Sequence, residues 1–157
     1  MATRKPLVIV AGQVQQLQAG DTLGGVELGQ ITLENENAAA IAIGAPVYSS
    51  SAGKVDYAQA DAIGTAEVVG LAVAELAIAG TGLIQTDGTM TLTTGEWDII
   101  TGEVGGLVAN TIYWLDPDTA AMLTITAPTA DADLVVRVGK GLSTTQMALQ
   151  IQPPILL

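Results

Sequence analysis

The sequence predicts a mainly β chain, folded as a sandwich or barrel, and three observations carry that reading. Apolar residues recur with period two along most of the chain, turn-forming clusters fall between those runs, and helix-like composition is rare. In order, the alternating pairs are Ile31/Leu33, Val55/Tyr57, Met90/Leu92 and Leu123/Ile125, followed by the triplets Leu134/Val136/Val138 and Met147/Leu149/Ile151. Thr, Gln, Asp or Arg mostly separate them, as a strand with one face in a core and the other in water requires. The breaks lie at residues 49–53, at Asp87-Gly88, at 102–106, at Asp116-Pro117-Asp118 and at 127–133 around Pro128, all rich in turn formers.

Two segments depart from the alternation. Residues 58–67 (AQADAIGTAE) are Ala-rich enough for one short helix of one or two turns, which Gly64 limits in length. Residues 68–79 are almost continuous in small apolar side chains, which predicts a strand covered on both faces. A core built from such small side chains supplies less apolar area per residue than one rich in Phe, and association with other copies would add what one chain lacks. Trp97 opens a further expected strand, WDII. Tyr113 and Trp114 are adjacent, so on a strand they point to opposite faces, one into the core and the other toward solvent or a partner.

The ends differ in character. Residues 1–30 combine a basic tip (Arg4, Lys5), a short apolar strand (Leu7, Val8, Ile9, Val10), a Gln-rich segment and a Gly-rich run, and they read as an extended N-terminal arm leading into a β-domain at 31–157. The chain closes on Ile155, Leu156 and Leu157, which in water would be an aggregation hazard and are expected to be buried in the domain or against a neighbour. Replacing Trp97 by Ala, or deleting those three residues, is then expected to destabilise the domain or its oligomer by about 2–5 kcal/mol.

Composition excludes much chemistry. The 157 residues contain neither Cys nor His, which removes thiol nucleophiles, disulfides, Cys/His metal sites and every His-based catalytic pair. Charged residues are only 13% and the net charge is -11. Beyond residue 5 only Lys54, Arg137 and Lys140 face all the acids, so nucleic acid is not an expected partner. The apolar run at the N-terminus is too short for a signal peptide, and residues 68–84, interrupted by Glu75 and glycines, fall short of a membrane span. A soluble chain is expected, with no membrane partner, no cofactor and no metal.

Carboxylates two apart occur at Glu34/Glu36, Glu96/Asp98, Asp116/Asp118 and Asp131/Asp133. None is followed by the Gly and distal Glu of a calcium loop, and the last two pairs read as turns. Glu96/Asp98, flanking Trp97, is the least turn-like and the one place for a carboxylate acid/base pair, as in a hydrolase of cell-wall polymer. Aromatic residues to line such a site are few. The loop Gly102-Glu103-Val104-Gly105-Gly106 lacks the Lys-Ser/Thr of a phosphate-binding loop, and Lys54 near Ser49, Ser50 and Ser51 only imitates a Ser-Lys pair. The expectation is no catalytic residue and no small-molecule substrate.

Four phrases in the C-terminal half stand in a distinctive order: WDIITGEVGGL (97–107), IYWLDPDTAAMLTITAP (112–128), VVRVGKGLSTTQMALQI (135–151) and the closing ILL. This order resembles the capsid decoration, or cement, proteins of tailed bacteriophages, and ADAIGTAEVVGLAVAE (60–75) is similar to that family's short helix entering a buried strand. Ala120-Ala121 departs from the Pro-Gly turn often seen after the "Y-x-L-D" strand. The opening RKPLVIVAGQVQQLQAGDTL is similar to N-termini of several phage virion proteins, fibres included, so a tail-tip or fibre component is the alternative. The resemblance implies a compact β-domain of β-tulip type that assembles as a homotrimer on the outer capsid surface and clamps the major capsid protein lattice against packaged DNA. Within it, Arg4, Lys5 and the strand Leu7, Val8, Ile9, Val10 would form the capsid-binding arm, docking on a sheet edge and an acidic surface. Trp97, Tyr113, Trp114, Ile155, Leu156 and Leu157 would be core or trimer-interface anchors.

Overall fold

The structure, a computed structural model, describes residues 7–10, 13–16, 29–130 and 133–157. Two N-terminal strands, β1 (Leu7–Val10) and β2 (Gln13–Gln16), pair antiparallel as a hairpin, so the apolar arm strand is paired along one edge with the Gln-rich segment that follows it. Arg4 and Lys5 lie outside the described residues.

A closed barrel follows, made of β3 (Gln30–Asn35), β4 (Pro46–Ser51), β5 (Lys54–Tyr57), β6 (Val68–Ala72) and β7 (Thr81–Gln85), bonded in the ring order β3-β5-β4-β6-β7. The serine and glycine cluster at 49–53 forms the β4–β5 hairpin tip, as its composition predicts. Every contact of the barrel is antiparallel except the closing seam, where β3 and β5 run parallel through Glu34 opposite Lys54 and Asn35 opposite Val55. Asn35 stands at the end of that seam, and its side chain ties β3 to the segments beside it. It is 1% exposed, and its amide nitrogen donates to the carbonyls of Ala39 (2.9 Å), Leu76 (3.1 Å) and Ala77 (3.1 Å).

The second body is a sheet ordered β10-β9-β12-β13-β8, from β8 (Gly88–Thr91), β9 (Ile112–Leu115), β10 (Leu123–Thr124), β12 (Arg137–Gly141) and β13 (Gln146–Leu149). The short strands β11 (Leu134–Val135) and β14 (Ile155–Leu156) pair beside it. Residues 58–60 tie barrel to sheet: Ala60 N–H donates to Asp116 O at 3.1 Å, and Ala58 O accepts from Ala121 N–H at 2.9 Å. Ala121 has φ 63°, a left-handed conformation that glycine adopts more readily than alanine. One core cluster spans both bodies. The barrel contributes the small side chains expected from the sequence, such as Ala45, Val47, Ala58 and Ala72, whereas the sheet side carries larger ones, including Trp97, Tyr113, Leu115 and Met147.

The mainly β class and a closed barrel agree with the sequence, and helix α1 (Ile63–Ala66) is the single turn expected near Gly64. Two expectations are corrected. The expected strand WDII is instead α2 (Thr94–Thr101), so there are two helices rather than one among the described residues. Its start is a capping box: the Thr93 hydroxyl accepts from Glu96 N–H while the Glu96 carboxylate accepts from Thr93 N–H at 2.8 Å. Its end is Gly102 at φ 69°, the left-handed stop that glycine takes without strain. Those two local signals outweigh the β-branched pair Ile99-Ile100. The expected two-faced strand at 68–79 ends at Ala72 instead, and only residues 70–72 of β6 are fully buried. Beyond it Ala74, Ala77, Ile78 and Ala79 are exposed, and only Leu76 returns to the core through its bridge to Ile41. Alanine costs little in water, so a run of small apolar residues is weak proof of burial.

Candidate functional site

The carboxylates considered for chemistry are held by local structure. Lys54 Nζ lies 3.3 Å from Glu34 and 3.7 Å from Glu36, and the Ser50 and Ser51 hydroxyls donate to Glu36 at 2.6 and 2.9 Å. Those hydroxyls, Ser50 first, and then the Lys54 ammonium hold the Glu36 carboxyl below the usual glutamate range. The serines therefore face Glu36. Asp116 accepts from Asp118 N–H and Thr119 N–H at 2.8 Å each, and Asp133 accepts from Ala130 N–H at 3.2 Å, both as turn anchors. Asp131 lies outside the described residues.

On α2 the pair Glu96/Asp98 splits into two structural tasks. Glu96 caps its own helix. Asp98 reaches the loop that follows, accepting from Gly105 N–H at 3.2 Å and Gly106 N–H at 2.6 Å. The glycine loop does cradle an anion, and that anion is the protein's own carboxylate. Gly106 is required there: at φ 83° an added Cβ would also overlap the Thr144 carbonyl oxygen. Asp98→Ala is expected to cost about 1–2 kcal/mol by leaving those amides without their acceptor, read as a lower midpoint in urea denaturation at unchanged slope.

The Glu96 carboxyl is held below its ordinary value of 4.5 by the Thr93 backbone and then the Thr93 hydroxyl. A depressed folded-state value means that the contribution is complete above the ordinary value and is lost as pH falls through the folded one. Glu96→Ala should therefore melt below the parent at neutral pH, with a difference that shrinks in melts taken at pH below 4.5. Among the described residues no group of three or more metal-ligating side chains converges.

The expected anchors divide between core and surface. Trp97 and Tyr113 are fully buried. The Trp97 indole N–H donates to Thr145 O at 3.0 Å, and the Tyr113 hydroxyl accepts from Val108 N–H at 2.8 Å. Burial pushes the Tyr113 phenol up, against the opposing pull of that amide. Trp114, on the other face of β9, is partly exposed, as the alternation of neighbours requires. Ile155, Leu156 and Leu157 are 61%, 62% and 52% exposed, so the expectation that they are buried in the domain is corrected. Their backbone is pinned by β11 and by Leu157 N–H on Asp133 O at 3.1 Å, but no element among the described residues covers their side chains. Deleting them should accordingly change monomer stability by only about 1 kcal/mol, measurable in the same denaturation series.

Those residues adjoin a sheet face that the sequence does not single out. On the five-stranded sheet the buried side carries Met90, Tyr113, Leu115, Leu123, Met147 and Leu149. Across the other side, Thr91 pairs with Gln146, Thr89 with Ala148, Ala148 with Lys140, and Lys140 with Ile112. A second row places Arg137 between Gln150, which accepts from its guanidinium, and Trp114, which pairs in turn with Thr124. No carboxylate stands in either row. A register shift between Arg137 and Gly139 is what brings both cations to one side: residues three apart on a regular strand point to opposite faces. Val135, two residues before Arg137, pairs with Ile155 and extends this side toward the exposed C-terminal aliphatics. A groove of about 430 Å³ between residues 67–69 and 151–154 is lined by Glu67 and otherwise by Val, Ile, Gln and Pro. With one carboxylate and no opposing base or nucleophile, its walls offer binding contacts rather than a reacting pair.

Neither protein-family models nor curated proteins give a match to this chain.

Proposed function

We propose that this chain is a virion structural protein of a tailed bacteriophage, a decoration or cement protein without catalytic activity. It would assemble as a homotrimer on the outer surface of the head and hold the major capsid protein lattice against the pressure of packaged DNA. The phrase order from Trp97 to the closing ILL motivates the family. The observation that carries an adhesive role is the exposed face built from Trp114, Arg137 and the aliphatics Ile155, Leu156 and Leu157, in a protein whose candidate catalytic carboxylates are bound to their own turns and caps. A symmetric trimer multiplies weak contacts, since binding by one subunit raises the effective concentration of the next two.

Gold-labelled antibody against the chain, applied to intact virions and viewed by electron microscopy, tests the location. Label distributed over the head supports the decoration reading. Label confined to the tail overturns it in favour of the fibre or tail-tip alternative, which the N-terminal phrase shared with fibres keeps open. Removing residues 1–10 tests the arm: particles should release the truncated protein more readily on dilution, and unchanged retention removes the arm from the docking scheme.

A further inference from the structure

The outer face of the five-stranded sheet gathers cations without carboxylates in a chain whose acids outnumber its cations 16 to 5. Arg137 and Lys140 have no ion pair among the described residues, whereas Lys54 on the barrel has two. The Arg137 guanidinium is also incompletely satisfied. A terminal nitrogen donates to Gln150, but Nε is buried without a hydrogen-bond partner among the described residues. Nε is out of a partner's reach, but the terminal nitrogens of a planar guanidinium match the two oxygens of a carboxylate. Beside it stand Trp114 and, beyond Val135, the exposed Ile155. Trp and Arg are the residue types that most often dominate binding energy at protein interfaces.

We propose that this face docks a second copy of the chain, with a surface carboxylate of that copy set against the terminal nitrogens of Arg137. The proposal rests on the self-assembly part of the reading above and names the surface that performs it. A second copy fits because its own excess charge supplies the complement: Glu67, Glu75, Glu103 and Asp118 are exposed and their carboxylates make no hydrogen bond or ion pair among the described residues. The contact is heterologous. Pairing the face with itself across a two-fold axis would crowd Arg137 and Lys140 against the same cations, whereas setting it on the acidic surface of the next copy attracts, and repeating that step closes a ring where the rotation between neighbours is a whole fraction of a turn.

Light scattering on the eluting full-length chain, at about 0.05 M and about 0.5 M salt, tests this. The parent should elute as a closed oligomer whose dissociation at low concentration is promoted by the higher salt. Arg137→Glu and Ile155→Glu should each weaken association by at least about tenfold, the loss expected for a central interface residue. Ile155 is already exposed, so its variant remains folded by circular dichroism even if Arg137→Glu does not, and Lys54→Gln on the barrel should leave association unchanged. An oligomeric parent that Ile155→Glu and a folded Arg137→Glu leave intact overturns this face while leaving self-assembly standing. A parent that is monomeric at about 0.1 mM, the weak end of specific association, overturns the second copy as occupant. The head label then decides the capsid reading separately.

Discussion

Trp97→Ala should unfold about 3–5 kcal/mol more easily than the parent, the range for emptying a fully buried Trp site. Total stability of a domain this size is about 5–15 kcal/mol, so the variant loses a large share of it and should melt roughly 10 °C lower. Two effects contribute. The ring is fully buried, and its indole N–H is a second donor, beside Leu92 N–H, to Thr145 O in the turn between β12 and β13. Trp97→Phe separates them: it keeps most of the apolar volume and removes the donor, with an expected cost of about 1–2 kcal/mol. If Trp97→Phe were as destabilising as Trp97→Ala in urea denaturation, the hydrogen bond rather than the packing would be holding this junction.

Asn35→Ala should cost about 2–4 kcal/mol, because it empties a buried site beside the parallel seam and removes a whole network at once: the donor to Ala39 O, the acceptor of Asn37 N–H, and a second donor to Leu76 O and Ala77 O, which keep Ile41 N–H and Gly80 N–H. The ion pairs of Lys54 lie over the same seam, but with side chains 37–38% exposed they are screened by solvent and contribute little. Lys54→Ala should therefore be much the milder change. Asn35→Asp should be worse than alanine at neutral pH, since it sets a carboxylate against the Ala39, Leu76 and Ala77 carbonyls, and should recover as acid protonates it. Amide exchange at Glu34 and Glu36, whose N–H groups donate to Gly53 O and Val55 O across the seam, reports the opening directly. Unchanged protection in Asn35→Ala would show that the seam does not depend on this side chain.

The strand pattern was legible because period-two alternation is the direct consequence of a sheet with one wet face. Ile31/Leu33, Val55/Tyr57, Met90/Leu92 and Met147/Leu149 each fall on or beside a strand. Helix α2 was legible too, but through different residues: Thr93 with Glu96 three positions on, and Gly102 at the end, rather than the Trp-Asp-Ile-Ile run that invites a strand. The fate of Ile155, Leu156 and Leu157 was not legible, since hydrophobicity states a cost of exposure without saying which surface removes it. The same limit applies to 68–79, where small side chains make either outcome inexpensive.

By itself the sequence determined that this is a mainly β, acidic protein without thiol or imidazole chemistry, because alternation and composition are properties of the chain alone. It also determined that Tyr113 and Trp114 part company, since neighbours on a strand have no other choice. Only the tertiary structure decided how the barrel closes, through a two-residue parallel seam at Glu34 and Asn35, because that depends on which strands meet. It alone decided that Arg137 and Lys140 share one face. Three residues apart they would oppose each other on a regular strand, and the register shift beside β9 sets them on the same side as Trp114.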